Sequence, residues 1–177
     1  AGAVAGHDPL TEPDITPALM RQLNPRAMTG VVVSALSALE IACADLRAKA
    51  AGESLARRLG GRRASAPAHV TCGFPALERD DLVAACVREI AAGADGVKVL
   101  VAAKGRSPEE DAARVRAVRA AIGDAPDLIV DANCGWDRET ALAFLWASDA
   151  IALTWLEEPV QGNDRRDLAA LAATFRN

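Results

Sequence analysis

The first third of the chain carries apolar side chains at helical spacing. Within residues 29–50 the apolar positions recur at steps of three and four, which lines one face of an α-helix. These positions are Leu36, Leu39, Cys43 and Leu46. Gly60 and Gly61 follow the next short apolar run and favour the positive φ angles at which helices end. We therefore predict a mostly helical N-terminal piece that ends near residue 62.

After residue 62, short apolar runs alternate with amphipathic segments. The apolar runs predict four strands: HVTCGF, GVKVLVA, DLIVDAN and IALTWLEE. The amphipathic segments predict four helices: ERDDLVAACVREIAAG, SPEEDAARVRAVRAAIG with Ser107 as its N-cap, RETALAFLWAS and RRDLAALAATF. The strand runs are apolar on both faces, which is typical of a parallel sheet covered by helices.

Alternating strands and helices build either an open doubly wound sheet or a closed barrel, and periodicity does not separate the two. The glycine-rich fingerprint of a dinucleotide site is absent after the first strand, which weakens the open alternative. A TIM barrel has eight such units in about 250 residues. Four units would form its first half, over residues 63–177, with residues 1–62 as part of another domain.

Composition narrows the classes of partner. The chain has 177 residues, 51% of them hydrophobic, and a net charge of −4 with its basic residues scattered. We expect a small-molecule partner, with neither nucleic acid nor membrane. No apolar run approaches the roughly 20 residues of a membrane span, and we expect a cytoplasmic protein. The four cysteines contain no CxxC pair, which predicts reduced thiols.

Polar residues stand at the ends of three predicted strands, where a βα barrel places its catalytic groups. They are Lys98, Asp131, Asn133, Glu157 and Glu158. Asp131 and Glu157 are about one βα unit apart, so they should lie on neighbouring strands. Two converging carboxylates repel each other unless a cation or a proton lies between them. Hard oxygen ligands of this kind suit Mg²⁺.

Each of these residues also has an ordinary structural explanation. A single aspartate at a strand end is more often a turn former or a helix N-cap, which applies to Asp131 taken alone. Glu158 precedes a proline and suits a solvated loop, which leaves Glu157 to point inward. Lys98 lies in an apolar strand, where an unpaired ammonium is costly, and an ion-pair role is the alternative to a catalytic one.

In their order and spacing, the motifs of the chain resemble the mandelate racemase and muconate lactonizing enzyme branch of the enolase superfamily. SALSALEIACADLRAKAAGESLARRLGG resembles the segment that joins the capping domain to the barrel. GADGVKVLV, IVDANCGW and WLEEPV resemble the motifs of the second, third and fourth barrel strands. The resemblance implies an α/β protein, part of a modified (β/α)₇β barrel with the C-terminal part of an α+β capping domain.

The resemblance also implies roles for individual residues. Asp131 and Glu157 match the first two ligands of a single Mg²⁺, Asn133 lies near the substrate, and Lys98 matches the first lysine of the KxK pair. The second position of that pair is Leu100, which cannot accept a proton. The resemblance implies that the third metal ligand and the remaining base, a histidine, lie beyond residue 177.

We therefore expect an enzyme that abstracts the proton next to a carboxylate through a metal-stabilised enediolate. Use of a single base favours dehydration of a sugar acid or related hydroxy acid over racemisation. Racemases, epimerases and cycloisomerases of the same superfamily stay as alternatives, as does a non-catalytic homologue that has lost its second-strand base. The substrate would be a small carboxylate, and we expect a homo-oligomer.

Overall fold

The computed structural model describes residues 5–10, 16–22 and 29–175. The chain divides into two compact units, Ala1–Ser65 and Ala66–Asn177. That the first unit is part of a capping domain stays a prediction.

The described residues of the first unit form helices and no strand. The helices are α1 (Thr16–Gln22), α2 (Gly30–Ala50) and α3 (Leu55–Arg58). Helix α2 confirms the helix predicted over residues 29–50, and Gly60 has a φ of 86° just after α3. Leu36 and Cys43 are buried together with Leu19 of α1.

The predicted apolar face of α2 is not buried along its whole length. Leu46 is 49% exposed, although it continues the spacing of Leu36 and Cys43. The buried cluster in this unit contains Leu19, Leu36 and Cys43, with Val32 and Leu39 packed against it. Helical spacing places Leu46 on the correct face but does not determine how far along the helix a packing partner extends.

The second unit alternates strands with helices. In chain order its elements are β1 (His69–Cys72), α4 (Arg79–Ala91), β2 (Gly96–Leu100), α5 (Pro108–Ile122), β3 (Asp127–Asp131), α6 (Arg138–Ala147), β4 (Trp155–Glu157) and α7 (Arg165–Thr174). All four predicted strands and all four predicted helices are present. The predicted N-cap Ser107 forms a capping box with Glu110, each side chain accepting the other residue's backbone N–H.

The fourth strand is shorter than predicted. The apolar run IALTWLEE predicts a strand from residue 151, but β4 begins at Trp155. The N–H of Ile151 donates to the backbone carbonyl of Ser148 at 2.7 Å, which closes a turn. Ile151 and Leu153 are both buried in the core of the unit. Their apolar character reflects burial in a turn, which periodicity alone cannot distinguish from a buried strand.

The four strands are parallel and lie in the order β1-β2-β3-β4. Right-handed crossovers that all step in one direction place every helix on the same face of the sheet. Helices α4, α5, α6 and α7 accordingly pack side by side in chain order. The sheet has no reversal of strand order, the feature at which doubly wound folds bind ligands. This order is that of a (β/α) barrel, as predicted.

The helices described in the second unit cover one face of its sheet. Val97 and Val99 of β2 and Leu128 and Val130 of β3 pack into the core beneath the helices. The alternate positions form the opposite face, which is mostly polar and is called the open face below: Thr71, Lys98, Leu100, Asp127, Ile129, Asp131, Trp155 and Glu157. The expectation that both faces are apolar is therefore wrong.

None of the helices described is long and apolar enough to cross a bilayer.

Candidate active site

The side chains of Leu100, Asp131 and Glu157 lie at the same level of the open face, at the carboxyl ends of β2, β3 and β4. Leu100 pairs with Asp131 across the first two strands, and Asp131 pairs with Glu157 across the next two. Lys98 lies on the same face of β2, one side-chain level below Leu100. The structure thus brings Lys98, Asp131 and Glu157 to one place at the edge where barrel enzymes hold their catalytic groups.

Lys98 bridges the two carboxylates. Its Nζ lies 3.0 Å from Oδ2 of Asp131 and 3.1 Å from Oε1 of Glu157. The Asp131 side chain is only 7% exposed, whereas Glu157 is 37% exposed. The hydrogen bond to Asp131 raises the pKa of Lys98, burial lowers it, and the bond to Glu157 raises it again, with a net upward shift. Lys98 is therefore a cation, and the ion-pair role considered from the sequence is present.

The remaining carboxylate oxygens also have donors. The backbone N–H of Asn133 donates to Oδ1 of Asp131 at 2.8 Å. The indole N–H of Trp155 donates to Oε2 of Glu157 at 3.3 Å. All four oxygens of the pair are thus oriented by the protein. Trp155 is not among the residues predicted for the site, although its position on the same face as Glu157 follows from strand alternation.

The loop after β3 presents Asn133 through its backbone. Asn133 and Cys134 both have left-handed φ angles, 47° and 56°, and the Asn133 side chain is exposed. The N–H of Cys134 donates to the carbonyl of Glu158 at 2.7 Å, which ties this loop to the loop after β4. Glu158 is exposed with a φ of 43°, as expected for a loop residue. A contact of Asn133 with substrate stays a prediction.

Asp131 and Glu157 are the oxygen donors at this site that could hold a metal ion. Among the described residues no group of three or more His, Cys, Asp or Glu side chains is arranged to hold a metal. Asp131 and Glu157 are two hard oxygen donors on neighbouring strands, and Mg²⁺ in enzymes is commonly held by one or two carboxylates with waters and substrate completing the octahedron. The pair fits this ion. Its role as metal ligand, and the catalytic role of Lys98, stay predictions.

The buried pair Cys72 and Cys86 offers no alternative chemistry. All four cysteines are free thiols, and Cys72 and Cys86 are buried. Burial, together with the neighbouring Cys72 thiol, raises the pKa of Cys86 to about 12. A thiol held protonated in this way is a poor nucleophile.

Comparison with known proteins identifies relatives with named activities. Residues 81–176 match the family described as enolase C-terminal domain-like. The chain is 38% identical over 83% of its length to L-talarate/galactarate dehydratase of Salmonella typhimurium, and 34% identical over 90% of its length to D-galactarolactone cycloisomerase of Agrobacterium fabrum. The crystal structure of L-talarate dehydratase from Polaromonas sp. JS666, complexed with Mg and L-glucarate, superposes with a TM-score of 0.86 at 35% identity over 99% of the chain.

The chain spans less than half the length of these proteins. It covers 37% of the dehydratase, 43% of the cycloisomerase and 49% of the Polaromonas structure. The order of the strands, the match over residues 81–176 and the likeness to the solved structure agree with the motifs noted in the sequence. The chain therefore belongs to the enolase C-terminal domain-like family.

Proposed function

We propose that the protein carrying this chain is a Mg²⁺-dependent lyase that dehydrates a sugar acid after removing the proton next to its carboxylate. The observation that carries the proposal is the cluster of Lys98, Asp131 and Glu157, in which one ammonium lies 3.0 and 3.1 Å from two carboxylates at the ends of adjacent strands. Asp131 and Glu157 would hold the Mg²⁺. The names of the dehydratase relatives support a sugar acid as substrate.

A proton next to a carboxylate is very weakly acidic, so the negative charge that develops on its removal needs strong stabilisation. Mg²⁺, when bound, would supply Lewis-acid stabilisation of the carboxylate oxygens. Lys98 would add a second positive charge beside the same oxygens. Asn133 N–H and Trp155 N–H would fix the two carboxylates, because each donates to an oxygen that Lys98 does not contact.

Leu100 would leave the face of the substrate beside β2 without a base. It stands level with Asp131 on the neighbouring strand and has no atom that accepts a proton. The base is therefore expected from a strand other than β2. With one base, the proton next to the carboxylate is removed and then returned to the neighbouring hydroxyl group. The C–O bond breaks, water leaves, and the enol formed tautomerises to a 2-oxo acid. Racemisation would require a second base on the opposite face.

Cycloisomerisation is the second candidate. The relative with that name aligns over 90% of the chain, more than the dehydratase does. The two reactions begin alike but differ in outcome, since isomerisation leaves the mass of the substrate unchanged and dehydration removes one water.

The test is an assay of the protein against aldonic and aldaric acids and their lactones, read by mass spectrometry and by formation of a 2-oxo acid. We expect loss of water from at least one aldarate or aldonate, dependence on Mg²⁺ and inhibition by EDTA. Product of unchanged mass would favour the cycloisomerase. Metal-independent turnover would contradict the proposal. A protein that binds Mg²⁺ but turns over none of the panel would support the non-catalytic homologue.

A further inference from the structure

A buried carboxylate outside the candidate active site lies under the loop that follows β2. Asp111, in the first turn of α5, is 0% exposed. Its Oδ2 accepts the backbone N–H of Ala102 at 2.8 Å, and its Oδ1 has no hydrogen-bond partner. The nearest cation to Oδ1 is Arg106, whose Nη1 is 3.7 Å away. Burial raises the pKa of Asp111, and the Ala102 N–H, Arg106 and Arg114 oppose that rise. Burial of a charged group is costly unless the group is paired and hydrogen-bonded, and Oδ1 of Asp111 has no hydrogen bond to offset this cost.

The cations near Asp111 also hold a neighbouring loop. Nη1 of Arg106 donates to the carbonyl of Pro75, and Nη1 of Arg114 donates to that of Leu77, each at 2.7 Å. Arg114 is itself only 6% exposed. The loops after β1 and β2 are therefore both tied to the N-terminal half of α5.

Ala102 connects Asp111 to the loop that bears Asn133. Its φ is 63°, a left-handed conformation that is unfavourable for any residue with a Cβ. The methyl group lies against Gly135, where an added Cβ would be only 2.8 Å from Cβ of Ala102. Gly135 closes the turn from Ala132, and the N–H of Asn133 in that turn donates to Asp131.

We propose that Asp111 is a positioning residue for the candidate active site: by fixing the backbone of Ala102, it seats the Ala102 methyl against Gly135 and thereby sets the turn that orients Asp131. The proposal rests on the proposed function for its kinetic consequence only. The structural link from Asp111 to Asn133 can be tested without any substrate.

The first test is amide hydrogen exchange in the whole protein, measured residue by residue by NMR. Asp111→Ala should speed exchange at Ala102 and also at Asn133, Cys134 and Gly135. Asp111→Asn keeps an oxygen that can accept from Ala102, and it should restore slow exchange in the turn. The matched control is Glu110→Ala, which removes the neighbouring carboxylate that accepts from the Ser107 N–H. This control should lower stability and leave exchange at residues 133–135 unchanged.

A second variant separates positioning from folding. Ala102→Gly removes the methyl and relieves the left-handed strain, so thermal stability should hold or rise. Exchange at residues 133–135 should still increase. If the protein is active, kcat should fall about tenfold or more, because small displacements of a reacting group have effects of this size. Asp111→Ala should reduce kcat in the same way, and Asp111→Asn should recover most of it.

The proposal is overturned if Asp111→Ala affects exchange at Ala102 alone, or if Glu110→Ala disturbs the turn equally. If Asp111→Ala does not fold, Ala102→Gly tests the proposal instead. Unchanged exchange at residues 133–135 in that variant would show that Ala102 does not position the turn. A wild-type protein without turnover would end the proposed function, while the exchange results would still decide the link between Asp111 and the turn.

Discussion

Lys98 lies between two carboxylates rather than beside one, and this governs the effect of replacing it. Asp131 is almost fully buried, so without Lys98 it would face Glu157 with no cation between them. Removing one partner of a buried ion pair destabilises because the other charge stays desolvated. From the sequence alone, a neutral replacement of Lys98 is expected to leave stability nearly unchanged. The contacts in the structure predict a different result.

We expect Lys98→Met to abolish turnover and to lower the free energy of unfolding in EDTA by about 1–3 kcal/mol. Saturating Mg²⁺ should reverse most of the stability loss, since a divalent cation relieves the repulsion between Asp131 and Glu157. Urea denaturation with and without metal measures the second effect. Turnover at the wild-type rate would show that Lys98 is only an ion-pair partner. The same stability loss at every Mg²⁺ concentration would argue against a metal between the carboxylates.

At the scale of elements, a side chain of β1 contacts a side chain of β3 over the intervening strand β2, which has a glycine at that position. Nε2 of His69 on β1 lies 2.9 Å from Oδ2 of Asp127 on β3. Gly96 of β2 pairs with both residues. The two side chains reach each other because Gly96 leaves the space between them empty. This contact lies at the end of the sheet opposite the candidate active site, where residues of a barrel serve stability.

Gly96→Ala should destabilise the protein by about 1–3 kcal/mol or more through overpacking. An added Cβ would lie 2.5 Å from Cβ of Asp127 and 2.8 Å from Cδ2 of His69. The free energy of unfolding from urea titration measures this effect. Gly30→Ala is a control for loss of a glycine in an open place, because nothing lies within 4 Å of its added Cβ and its φ is not left-handed. If Gly96→Ala were no worse than this control, the crossing would not be tightly packed.

The carboxylate of Asp127 should make the free energy of unfolding depend on pH in the acid range. Hydrogen bonds from His69 and Thr154 lower the pKa of Asp127 below its ordinary value. A group with a lowered folded-state pKa contributes stability above its unfolded pKa of about 3.9, and the contribution is lost as pH falls through the folded value. Asp127→Asn should therefore flatten the pH dependence of the urea midpoint below about pH 4. The exposed Asp124, replaced by Asn, is the matched control, and an equal flattening there would contradict the assignment.

At the scale of the whole molecule, the sequence predicts elements well and contacts poorly. Caps and breakers such as Ser107 and Gly60 are local, so most helix and strand positions follow from short stretches of sequence. The shortened β4, the exposure of Leu46 and the polar open face depend on partners distant in the chain. The convergence of Asp131 and Glu157 was predictable because parallel strands end at one edge. The contacts of Trp155 and Asp111 were not. The first depends on side-chain conformations within β4, and the second on the backbone of the loop after β2.

We propose that Asp131 and Glu157 hold the Mg²⁺ on which the chemistry depends. Calorimetric titration of the protein with Mg²⁺, comparing Glu157→Gln with Glu158→Gln, tests this role most directly. The two variants remove the same charge at adjacent positions, but only Glu157 contacts Lys98. We predict that Glu157→Gln weakens Mg²⁺ binding by more than about tenfold, while Glu158→Gln stays close to the wild-type affinity. Equal affinities in the wild type and Glu157→Gln would contradict the metal site, and with it the proposed reaction.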